Sequence, residues 1–124
     1  MGTGTIPITP ATDRSPTRVF RKLEAGDLKG ITVRLVSGSP RHGETYVKVG
    51  LTRAKDNIEN IYQVFVSDYI TLTYNPYWTG SFPLEREDFL FVEARSSVAV
   101  SMDAVAVVDR PDLPRRFPRS KESV

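Results

Sequence analysis

Along most of the chain, apolar and polar positions alternate with a period of two. In "GITVRLVSG", Ile31, Val33 and Leu35 oppose Thr32 and Arg34, and the run stops at a Gly-Ser-Pro cluster. "TYVKVGLTR" sets Val47, Val49 and Leu51 against Tyr46, Lys48 and Thr52. Similar runs, rich in β-branched and aromatic residues and separated by turn formers, are "TRVFRKL", "IYQVFVSD", "YITLTYNP", "DFLFVEARSS" and "VAVSMDAVAVVD". The pattern predicts about seven strands and an all-β, antiparallel β-sandwich with a jelly-roll-like architecture.

One segment resists this reading. In "TRAKDNIENIYQVF", Ala54, Ile58, Ile61, Tyr62 and Phe65 fall at helical spacing, so a short helix over residues 53–61 competes with two strands joined by a loop. Asn57, Asn60 and the following Val64, Phe65 and Val66 favour the loop. Several strands are also apolar on both faces. Phe89 and Phe91 oppose Leu90, Val92 and Ala94; Tyr62, Val64 and Val66 oppose Ile61 and Phe65; Val98, Val100 and Met102 oppose Val105 and Val107. Leaving such side chains wet would forgo roughly 1.5–3 kcal/mol each. The second face therefore calls for a cover, from the chain's own loops and arms or from a neighbouring subunit.

The ends differ from the middle. Residues 1–16 hold three prolines and four threonines around Ile6 and Ile8, and read as an extended N-terminal arm. Residues 109–124 hold three prolines and five basic residues against three acids, and read as a second, Pro/Arg-rich arm. Residues 17–108 are left as the sandwich domain, and 124 residues suit a single core.

Composition narrows the chemistry. A net charge of +2, from 17 basic and 15 acidic residues, does not by itself announce a nucleic-acid or membrane surface. The absence of cysteine removes disulfides and thiolate metal sites. No signal peptide and no apolar run approaching the roughly 18 residues of a membrane span is visible, so a cytoplasmic or, for a viral chain, virion location is expected, with no membrane contact. His42 stands alone in a Gly-Pro turn, with no second ligand for a metal. Asp56, Asn57 and Glu59 lack the glycine and terminal glutamate of a calcium loop. Glu85, Glu87 and Asp88 beside Arg86 are the candidates for acid–base work, but alternating charges after a Pro-Leu step read more simply as a solvated turn. No nucleophile elbow, phosphate loop or dinucleotide fingerprint is present. No catalytic residue, metal or cofactor is expected.

Partner contact is the remaining chemistry. "NPYWTGSFPLERED" places Tyr77, Trp78 and Phe82, with Tyr74 just before, in what reads as a loop. Such aromatics either plug the open end of a sandwich or form a platform for a protein or a sugar. The C-terminal arm carries Leu113 and Phe117 as apolar anchors and Arg115, Arg116 and Arg119 as charge contacts, for an acidic protein surface or, less readily with Asp112 and Glu122 nearby, for nucleic acid. Ile6 and Ile8 anchor the N-terminal arm in the same reading.

The segment "FPLEREDFLFVEA", followed by a long apolar final strand and a proline-rich end, resembles small β-sandwich or jelly-roll virion proteins of bacteriophages over residues 70–108. Where more regular members have Gly-Asp at the turn, this chain has Glu87 and Asp88. The resemblance implies a non-enzymatic structural part of a capsid, tail or fibre, assembled with copies of itself and other subunits through terminal arms. A carbohydrate- or receptor-binding module using Tyr77 and Trp78 is the alternative, and a small hydrolase using Glu85 and Glu87 a distant third.

Overall fold

The computed structural model describes residues 2–53, 61–86 and 88–109. They form eight strands: β1 (Gly2–Ile8), β2 (Thr17–Lys22), β3 (Gly26–Ser37), β4 (Thr45–Thr52), β5 (Ile61–Tyr69), β6 (Tyr77–Leu84), β7 (Phe89–Ser96) and β8 (Ser101–Asp109). There is no helix among the described residues, and hence none long and apolar enough to cross a membrane. The pairing is nested and antiparallel: β1 with β8, β2 with β7, β3 with β6, β4 with β5. This is one long hairpin, and rolling it up adds β3 with β8 and β4 with β7. Two sheets result, with strand orders β1-β8-β3-β6 and β2-β7-β4-β5, the arrangement of a jelly roll.

Alternation decides what fills the space between the sheets. Ile31 and Val33 from β3, Val47, Val49 and Leu51 from β4, Leu90, Val92 and Ala94 from β7, and Met102, Ala104 and Ala106 from β8 are all buried there. Leu28 joins them although it lies three residues before Ile31, because β3 carries a bulge between Leu28 and Gly30 that resets its parity. A second irregularity corrects the reading of β5. Val49 pairs with Val66 but Gly50 pairs with Val64, so Phe65 is the extra residue. The shift sends Val66 into the core and leaves Tyr62 and Val64 exposed, where unbroken alternation had put all three on one face.

The expected N-terminal arm is, over Gly2–Ile8, an edge strand paired with β8, and Ile6 and Ile8 are core residues of their own chain. As partner anchors they are therefore corrected: burying them against β8 uses the surface a neighbour would need. Pro7 fits because an edge strand has one row of backbone groups without ladder partners. The same reason hides β6. "YITLTYNP" is not a strand beyond Tyr69 but a tight turn, with Thr71 and Tyr74 exchanging backbone hydrogen bonds of 3.1 and 3.2 Å around Leu72 and Thr73. The strand comes next, through the proline- and glycine-bearing stretch that read as a loop, on the edge of its sheet where Pro83 is tolerated. Val98 and Val100 lie in the β7–β8 connection, packed against the core, and β8 starts only at Ser101.

Phe91 answers part of the question of the second face. It points away from the core cluster, yet is fully buried within the single chain, packed on Gly50 and 6.3 Å, ring to ring, from Phe20. Gly50 is needed for this. A Cβ there would lie 2.4 Å from the Gln63 carbonyl oxygen and 2.7 Å from Phe91 Cε1. The choice between helix and loop falls on residues 54–60, and the C-terminal arm on 110–124; both lie outside the described residues.

Candidate functional site

The aromatic stretch divides by strand parity. On β6, Trp78 and Phe82 turn inward and Tyr77 and Thr79 outward. Trp78 packs on Phe65 at 4.5 Å between ring centroids and Phe65 meets Phe82 edge-on at 5.3 Å, so the pair of edge strands β5 and β6 is closed by three rings. The Trp78 indole also covers Gly80, where a Cβ would come within 2.8 Å of it. Trp78 and Phe82 are thus side-wall residues of the sandwich. Tyr77 is 65% exposed and Leu72, at the tip of the preceding turn, 66% exposed. Tyr74 is exposed beside them, its hydroxyl donating to Asp68 Oδ2 at 3.1 Å, a bond that raises its pKa.

Tyr77 belongs to a surface that the sequence did not single out. Register places Thr5, Val105, Thr32 and Tyr77 in one row across the outer face of the first sheet, and Thr3, Val107, Gly30 and Thr79 in the next. Neither row holds a charge. From Tyr69 to Leu84 the chain has no charged residue at all, although 26% of the whole sequence is charged. That run was the available signal. Beyond these rows Arg34 pairs with Asp103 at 3.5 Å.

The acidic turn is a structural knot. Asp88 is fully buried: its carboxylate accepts from the Tyr62 hydroxyl at 2.6 Å and the Glu85 amide at 2.8 Å, and Arg53 Nε lies 3.6 Å away. Arg53 reaches Glu85 at 3.7 Å as well and stacks on the Tyr62 ring at 4.7 Å. Burial, reinforced by the bond to Asp88, pushes the Tyr62 phenol up to about 12. The arrangement ties the end of β4, the start of β5 and the β6–β7 turn together. Glu87 lies outside the described residues, as do Leu113, Arg115, Arg116, Phe117 and Arg119.

The outer face of the second sheet differs from that of the first. Tyr46 stands across from Arg95 on one side and Tyr69 on the other; Lys48 stands across from Glu93 and Ser67. The two tyrosine rings meet edge-on at 5.6 Å, the His42 ring lies 5.6 Å from Tyr69, and the Tyr46 and Ser67 hydroxyls are hydrogen-bonded. Glu93 is buried and held by Arg18 at 2.8 Å and Arg95 at 3.4 Å. Arg14 completes the rim from the β1–β2 turn. Its φ is +66°, a left-handed conformation that costs a non-glycine residue about 1 kcal/mol or more. Its amide donates to Ser96 O at 3.0 Å and its guanidinium to Gly43 O at 3.3 Å. The adjoining Asp13 accepts from the Ser15 hydroxyl and amide, which holds its carboxyl below the usual range. Together these residues bound an open groove of about 420 Å³.

No protein-family model, curated protein or solved structure matches this chain. What fold and surfaces define is a jelly-roll β-sandwich with two uncharged rows across the outer face of one sheet and, on its opposite side, a basic, tyrosine-lined groove. No cluster of histidine and acidic side chains suited to a metal ion occurs among the described residues.

Proposed function

We propose that this chain is a non-enzymatic structural component of a larger assembly, joined to copies of itself and to other subunits. A bacteriophage particle, as capsid decoration or a part of the tail or fibre, is the assembly to which the resemblance points. The observation that carries the reading is the pair of uncharged rows on the outer face of the first sheet, one of them ending on the exposed Tyr77, with Tyr74 and the turn-tip residue Leu72 exposed in the turn just before it. Depletion of charge at the centre, with tyrosine enriched, is the compositional mark of a protein interface. A tight two-residue turn favours glycine, asparagine or aspartate at its tip, and Leu72 there gains nothing inside its own chain. Burying Leu72, Tyr74 and Tyr77 in a contact would contribute about 1.5–3 kcal/mol each before the costs of association. The commitment of Asp88 to Tyr62, Glu85 and Arg53 supports the non-enzymatic part.

Thr32→Lys tests it. Thr32 is exposed in the middle of the uncharged row, so the variant keeps its fold while setting a charge at the centre of the contact. Sedimentation velocity is expected to show the wild type associated and the variant shifted to monomer, with equal thermal midpoints. Identical sedimentation of the two proteins would refute the assigned surface.

A further inference from the structure

We propose that the groove on the outer face of the second sheet binds an acidic saccharide, a sugar ring carrying a carboxylate, independently of the assembly contact on the opposite sheet. Three features of the lining select this ligand class. Tyr69 and Tyr46 offer ring faces and edges beside the groove, and Tyr69 remains partly exposed, as stacking on the apolar side of a pyranose requires. Arg14, Lys48 and Arg95 face a single carboxylate, Glu93, so the groove carries a surplus of positive charge. Lys48 has no ion-pair partner among the described residues, which leaves an ammonium for an incoming anion.

Glu93 supplies the discrimination. Its carboxylate takes one donor from Arg18 and a longer contact from Arg95, whereas a carboxylate has about four acceptor positions. The remaining capacity suits sugar hydroxyls, which are donors. A nucleic-acid strand would instead bring a run of phosphates, more negative charge than this surplus can match, up against the buried carboxylate. A neutral sugar would satisfy Glu93 but leave the surplus cations unmatched. A ligand with hydroxyl donors and an anionic group on one ring meets both needs, and its apolar ring side meets the tyrosines as well. The groove volume, about 420 Å³, lies in the range of small-ligand sites. Its residues come from the β1–β2 turn, β4, β5 and β7, and Arg14 is fixed there in a left-handed conformation by bonds to Ser96 and Gly43.

Isothermal titration calorimetry on the full chain tests the assignment, with a galacturonic-acid trisaccharide, a neutral glucose trisaccharide, a short oligothymidylate and inorganic sulfate as probes. The acidic trisaccharide is expected to bind at least tenfold more tightly than each of the other three. Lys48→Met and Tyr69→Leu should each weaken it tenfold or more, with Trp78 emission and the thermal midpoint unchanged. Should Tyr69→Leu lower the midpoint, Lys48→Met decides alone, because its ammonium holds no ion-pair partner among the described residues. Equal affinity for the neutral sugar, tighter binding of sulfate or oligothymidylate, or no heat with the acidic sugar at millimolar concentration would each overturn the proposal. Thr32→Lys should leave this binding intact; its loss there would also contradict an independent site.

Discussion

Replacing Trp78 by alanine separates the two roles that its aromatic stretch could play. Complete removal of a tryptophan from a core costs roughly 3–5 kcal/mol. Trp78 is half-buried on an edge strand, so the burial part falls to about 2 kcal/mol, and loss of its ring contact with Phe65 at 4.5 Å adds about 0.5–1.5 kcal/mol. The expected destabilisation is about 3 kcal/mol. With a urea slope near 2 kcal/mol per molar, the unfolding midpoint drops by roughly 1.5 M. Because Trp78 is the sole tryptophan, unfolding must be followed by far-UV circular dichroism. Tyr77→Ala, one residue away but outward, should stay within about 0.5 kcal/mol of the wild type. A double-mutant cycle with Phe65→Ala should return a coupling of about 0.5–1.5 kcal/mol. An unchanged midpoint for Trp78→Ala would refute the argument that three rings close the β5–β6 side.

Gly50→Ala should cost about 1–3 kcal/mol in chemical denaturation, since its Cβ would press on the Gln63 carbonyl and on Phe91, neither of which has room to retreat. Asp88→Ala should lose about 1–3 kcal/mol by stranding the Glu85 amide and the Tyr62 hydroxyl, measured by the same denaturation; a neutral outcome would mean that the knot at the β6–β7 turn bears no strain of the fold. Tyr62 gives a pH dependence. Its phenol stays protonated up to about 12 in the folded chain, against about 10 unfolded, so the stability it contributes is fully present below pH ~10 and is lost as pH rises towards 12. Tyr62→Phe should flatten that alkaline slope in unfolding measurements and remove the phenolate absorbance component titrating near 12.

The strands that sit in the middle of a sheet were legible because both neighbours and the core enforce strict alternation. Ile31, Val33 and Leu35, and likewise Val47, Val49 and Leu51, read correctly on that ground alone. Of the four edge strands, β2 and β5 were read from their own alternation, but β1 and β6 escaped. Proline and glycine argue against a strand only where a ladder bond is lost on both sides, and β1 and β6 each have one free side, so Pro7 and Pro83 misdirected the reading. A bulge is invisible in composition, which is why Val66 was grouped with Tyr62 and Val64. The uncharged surface and the groove were less legible still. Arg14, Tyr46, Tyr69 and Glu93 are scattered along the chain, and only the rolled hairpin brings them to one face. The charge-free run from Tyr69 to Leu84 was open to inspection, but its meaning depended on knowing that Tyr77 and Thr79 face outward.

Native mass measurement of the full chain across the micromolar range tests the reading of this molecule as an assembly subunit most directly. Species at multiples of the single-chain mass, converted to the single chain by Thr32→Lys, are what the outer sheet surface predicts. A single-chain mass at every concentration, unchanged by that substitution, would contradict it.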